Sequence, residues 1–66
     1  MLVADRIRGR LVEIEVGRVE DVGWVAVGVV VKDGLSHEKG MLFRATAPDP
    51  VEAETKLRLE IEAFFA

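Results

Sequence analysis

Gly23-Trp24-Val25-Ala26-Val27-Gly28-Val29-Val30-Val31 is the most hydrophobic run in the chain, and its β-branched and aromatic residues read as a strand. Side chains alternate across a strand. Val25, Val27, Val29 and Val31 therefore share one face, and Trp24, Ala26, Gly28 and Val30 make a second, flatter apolar face. A strand apolar on both faces needs cover on both. The rest of the chain offers a single evident helix, so one face of this strand is left without an assigned cover.

Toward the N-terminus, Leu11 to Val16 alternates cleanly, with Val12, Ile14 and Val16 directed inward and Glu13 and Glu15 in water. Upstream the parity changes. Arg6, Arg8 and Arg10 fall in the same alternation as Val12, Ile14 and Val16, while Ile7, Gly9 and Leu11 fall in the other, so a β-bulge or bend at Gly9 is expected. Gly17 to Asp21 is a polar break that reads as a hairpin connection, pairing the first two strands antiparallel. After Val31, Asp33-Gly34 signals either a tight turn or the start of a longer loop through Leu35-Ser36-His37-Glu38-Lys39. A third strand follows at Met41 to Thr46, with Met41, Phe43 and Ala45 on one face and Leu42, Arg44 and Thr46 on the other.

Asp49-Pro50-Val51-Glu52 marks a helix start: a carboxylate at the N-cap, proline at the first helical position, and glutamate three residues after the cap. From there Ala53, Leu57, Ile61 and Phe64, flanked by Phe65, form one apolar stripe to the end of the chain. Leu59 points away from that stripe. The fold class expected is α+β: one domain over residues 1–66, a three-stranded antiparallel meander with one C-terminal helix packed on one face (β-β-β-α), with the stripe meeting the valine face.

A chain of 66 residues buries only about 60% of the surface that its unfolded form exposes, so its lone core is marginal. Small domains compensate with disulfides, a metal or oligomerisation. The chain has no cysteine and one histidine, which removes the first and leaves the usual zinc sites without ligands. Self-association is the remaining source of burial. A formal charge of −3 opposes bulk attraction to nucleic acid or an anionic membrane. No apolar run approaches the ~20 residues that span a bilayer, and Met1 to Arg6 lacks the apolar core of a secretory signal, so a cytoplasmic protein is expected. The absence of Asn, Gln and Cys beside abundant Val, Glu and Arg points in the direction of thermostable proteins.

Few residues suggest chemistry. His37 sits between Ser36 and Glu38, but neighbours in an extended loop point apart, whereas a triad needs side chains converging from separate places. Glu13, Glu15, Glu20 and Asp21 read as a solvated outer face, since a carboxylate metal site needs several oxygens converging within about 2.0–2.6 Å. The glycines precede no helix except one that opens on Asp49, so they form no phosphate loop. No catalytic, metal or cofactor-binding residue is assigned, and no enzyme activity is expected. Arg6, Arg8 and Arg10, at alternate positions of an extended segment, could line one side and track phosphates; surface ion pairs are the competing reading. Gly28, in mid-strand, marks a close approach of another backbone or ring.

Glu20-Asp21-Val22-Gly23-Trp24-Val25-Ala26 resembles the acidic turn, glycine, aromatic and alternating strand of the small HicB-like family. Thr46, Val51-Glu52-Ala53 and Ile61-Glu62-Ala63-Phe64 are similar to that family's threonine and Glu-Ala helix. The resemblance covers about two thirds of the chain, from Leu11 onward. Two departures stand out: a proline-rich Pro-Gly-Cys segment is replaced by Val29 to Gly34, and no residues remain for the DNA-binding domain of the family's antitoxins. The resemblance implies a partial ribonuclease-H-like β-β-β-α unit acting as a stand-alone, oligomeric partner-binding module.

The reading of function is a non-catalytic, self-associating interaction module, a dimer or higher species and antitoxin-like in binding a small protein partner. Its expected contact face is Trp24, Ala26, Gly28 and Val30, with Leu59 beside it. The alternative is a small nucleic-acid-binding module using Arg6, Arg8 and Arg10.

Overall fold

A sheet of four strands, one more than the alternation suggests, carries the chain. In the computed structural model, which describes residues 2–66, β1 (Leu2–Ile7), β2 (Arg10–Val19), β3 (Gly23–Lys32) and β4 (Leu42–Ala47) pair antiparallel in the order β1-β2-β3-β4, and α1 (Pro50–Phe64) follows. The α+β class and the terminal helix are as expected; the three-strand count is not. The parity change near Gly9 is a complete chain reversal rather than a bulge. Ile7 pairs with Arg10, and the two residues between them, Arg8 (φ 50°) and Gly9 (φ 80°), both take the positive φ that a tight type I′ hairpin requires. A bulge does occur elsewhere in β2–β3: Leu11 pairs with Lys32 and Val12 with Val30, leaving Val31 as the extra residue.

Side chains directly opposite each other in an antiparallel pair share a face, so the register assigns sides across the whole sheet. Val12 lies opposite Val30, Ile14 opposite Gly28 and Val16 opposite Ala26; Ala26 in turn lies opposite Ala45, and Gly28 opposite Phe43. This is the face that α1 covers. Val12, Ile14, Ala26 and Val30 are fully buried there against Ala53, Leu57 and Ile61 of the helix. A Cβ placed on Gly28 would lie 3.0 Å from Ile61 Cδ1, 3.3 Å from Val12 Cγ1 and 3.4 Å from Leu57 Cδ2. The stripe therefore meets the flat face of β3, and the expectation that it meets the valine face is overturned. A groove floored by Ala26, Gly28 and Ala45 lets the helix approach closely, whereas a row of branched valines would hold it off.

The helix begins as its sequence specifies. Asp49 Oδ1 accepts from the Glu52 amide at 2.8 Å, with Pro50 in the first turn. It ends at Phe64, one residue before the chain turns out of helical geometry, and this changes the last stripe position. Phe64 is 60% exposed, and Phe65 packs inward in its place. Phe43, Phe64 and Phe65 form an edge-to-face trio with ring centroids 5.0–5.8 Å apart.

Candidate functional site: the uncovered face of the sheet

Opposite the helix, the register sets out a grid. One rung runs Ala4–Glu13–Val29–Leu42, the next Leu2–Glu15–Val27–Arg44, and the third Gly17–Val25–Thr46. The β3 valines are thus on the same side as Glu13 and Glu15. Val25, opposite Gly17, is only 8% exposed, while Val27 and Val29 are partly buried. Leu42, at the sheet edge, is 67% exposed, and Leu2 at the other edge is exposed as well. An apolar row thus runs down the middle of the face with a leucine at each edge, and among the described residues no element lies over it. Acidic Glu13 and Glu15 stand on β2, basic Arg44 on β4 and basic Lys32 at the end of β3, and Arg6 of β1 is paired with Asp33, so the charges of the face balance although the chain is acidic.

The contact face expected from the sequence occupies the other side. Ala26, Gly28 and Val30 are enclosed beneath α1, and Trp24 is partly buried at the end of that interior, beside Val3, Val16, Pro50 and Val51. A second copy has no access to Ala26, Gly28 or Val30 while the helix is in place. Leu59 is 60% exposed on the outer surface of α1, away from the sheet, and so is not continuous with either face.

The three arginines do not form a stripe, because the hairpin turns between them. Arg6, on the open side of β1, is paired with Asp33 at 2.6 Å, and Arg8 sits in the turn itself. Arg10 faces the helix side. Its Nε and Nη2 donate to Glu38 Oε1 and Oε2 at 3.1 and 2.8 Å, Nη1 donates to the Arg8 carbonyl at 2.8 Å, and its guanidinium lies 4.0 Å over the Phe65 ring. Glu38 Oε1 also accepts from the Leu35 amide at 2.8 Å. One side chain thus ties the β1–β2 turn, the β3–β4 loop with its single 3₁₀ turn (Ser36–Glu38), and the C-terminal aromatics together.

These bonds stabilise the ionised carboxylate. The Arg10 guanidinium, then the Leu35 amide, hold Glu38 below the usual glutamate range. On β1, Arg58 and then the Arg6 amide do the same for Asp5, which accepts from Arg58 Nη1 at 2.7 Å. The Arg10–Glu38 pair spans 28 positions and leaves no local signal in the sequence; neither residue stands out from other charged ones. His37 is exposed on the 3₁₀ turn, and Glu38 beside it turns inward, so Ser36, His37 and Glu38 do not converge. Glu20 and Asp21 occupy the β2–β3 turn, away from Glu13 and Glu15. Among the described residues no cluster of His, Cys, Asp or Glu is arranged to hold a metal ion, and no helix is long and apolar enough to cross a membrane.

Comparison with protein-family models, curated proteins and solved structures finds no match for this chain.

Proposed function

We propose that the chain is a non-catalytic interaction module that associates with a second copy of itself through the open face of its sheet. The observation that carries this is the row Val25, Val27 and Val29, flanked by Leu42 and Leu2, with no element of the described residues above it. Sheets with one apolar face stack on another sheet about 10 Å away, and the neutral charge of this face lets two acidic chains meet without net repulsion. Size bounds the contact. Four strands at about 4.8 Å and six residues at about 3.3 Å allow a footprint of at most about 380 Å² per copy, about half that of a standard interface. A contact of that size belongs with weak, reversible associations. The HicB-like resemblance belongs to this proposal: β2, β3, β4 and α1 follow its β-β-β-α order, with β1 added in front.

Sedimentation equilibrium over a wide concentration range tests the reading. The wild-type chain should approach twice the 7.3 kDa protomer mass. Val27→Lys, which places an unpaired charge at the centre of the face, should hold it at protomer mass while leaving the thermal melt cooperative. Leu59→Lys, on the outer helix surface, should change nothing. A wild-type chain that is monomeric throughout, or a Val27→Lys variant that dimerises as well as wild type, would refute it.

A further inference from the structure

We propose that the two copies stack about a two-fold axis parallel to β3, so that Glu15 of each copy meets Arg44 of the other on both sides of the valine row. This rests on the open-face reading above and deepens it, because of the two stackings that align the sheets only one sets the acid and base of the central rung against each other. Glu15, Val27 and Arg44 lie in one rung, acid on β2, valine on β3, base on β4.

Two in-plane axes can bring a face onto a copy of itself. An axis along the rung, across the strands, lays β2 over β2 and β4 over β4, so Glu15 faces Glu15 and Arg44 faces Arg44. An axis along β3 exchanges left and right while keeping height. The β2 strand of one copy then lies over β4 of the other at the same rung, and Glu15 falls opposite Arg44 twice per dimer.

Geometry tolerates the natural twist. Stacked sheets cross at about 30°, and Glu15 and Arg44 each stand one strand, about 4.8 Å, from the axis, so the crossing moves them apart by only about 2.5 Å. Both side chains are long enough to span that. Glu13, one rung along and opposite Leu42, keeps its carboxylate beside the same guanidinium rather than beside another acid. Lys32, the last residue of β3, meets its own copy near the axis at the rim, where the two long stems let the ammonium groups diverge into water. The valine row runs along the axis and packs against itself, while β1 of each copy overhangs the edge of the other's β4, so the overlap is three strands wide.

Charge exchange tests the arrangement in sedimentation equilibrium. Glu15→Arg should self-associate about tenfold or more weakly than wild type, because each cross-contact becomes Arg against Arg; Arg44→Glu should weaken it to a similar degree. An equimolar mixture of the two variants should regain wild-type affinity as a heterodimer, since both cross-contacts become opposite pairs again. The chain carrying both substitutions should self-associate like wild type. Raising salt should narrow the gap between the single variants and wild type. If Val27→Lys abolishes the dimer while Glu15→Arg and Arg44→Glu dimerise undiminished, this orientation is wrong and the open-face reading stands. If Val27→Lys also leaves the dimer intact, both are wrong.

Discussion

Replacing Gly28 by alanine probes how closely α1 lies on the sheet. A methyl group there meets Ile61 Cδ1 at 3.0 Å, with Val12 Cγ1 and Leu57 Cδ2 at 3.3 and 3.4 Å, so the nearest neighbour must give way by about 0.4 Å to reach ordinary contact. Two effects oppose. Removing a glycine from a strand lowers the entropy of the unfolded chain and stabilises by about 0.5–1 kcal/mol, while overpacking costs about 1–3 kcal/mol. Overpacking wins, because the three contacting atoms belong to side chains that are themselves fully buried and have no space to move into. Gly28→Ala should destabilise by about 1 kcal/mol, a fall in melting temperature of about 4–8 °C for a domain this small. The decisive arm is Ile61→Val, which deletes the clashing Cδ1 and alone costs about 0.5–1.5 kcal/mol. Combined with Gly28→Ala it should cost less than the two singly, by about 0.5–1 kcal/mol of coupling measured in urea titrations. Strict additivity, or a Gly28→Ala variant more stable than wild type, would show that the helix does not rest on this face.

Two further expectations follow from the charged groups and the first turn. Because Arg10 and the Leu35 amide depress Glu38, its contribution is present above the unfolded glutamate value of about pH 4.3 and is lost as pH falls through the folded value; Glu38→Gln should lower stability at pH 7 and flatten the acid limb of a melting-temperature-against-pH profile, and an unchanged acid limb would contradict the clamp. Arg8 holds φ 50° without being glycine, so Arg8→Asn, which tolerates that region, should raise stability by about 0.5–1 kcal/mol in denaturant titration, and a loss of stability there would contradict the hairpin.

Particular residues show where the sequence is legible. Asp49-Pro50-Val51-Glu52 encodes its helix start locally, through a cap and a fixed φ, and the structure forms it with the same residues. The β2–β3 pairing was legible for the same reason, a polar break between two alternating runs. The β1–β2 hairpin was not, because Arg8-Gly9 lacks the Asn-Gly or Asp-Gly signature of a tight turn, and its parity change imitates a bulge. The side of β3 on which the helix lies is a non-local fact. Branched valines look like the better core, yet Glu13 and Glu15 are solvated, and in the observed register they stand opposite Val29 and Val27. The cross-strand pairing carries β2's polarity onto β3 and places the valines outside. Phe64 fell out of the stripe because the helix stops there, and the Arg10–Glu38 clamp was invisible because its partners meet only after the sheet and loop are assembled.

The proposed contact with a second copy lies on the open sheet face and on no other surface. The most direct test is a dilution series followed by backbone and methyl NMR of the wild-type chain. Concentration-dependent shifts are expected at the methyls of Val25, Val27, Val29 and Leu42 and at Glu15 and Arg44, with Leu57, Ile61 and Leu59 unmoved. Shifts centred on Leu59, shifts confined to the outer edge of β1 or β4, or a spectrum independent of concentration would contradict it.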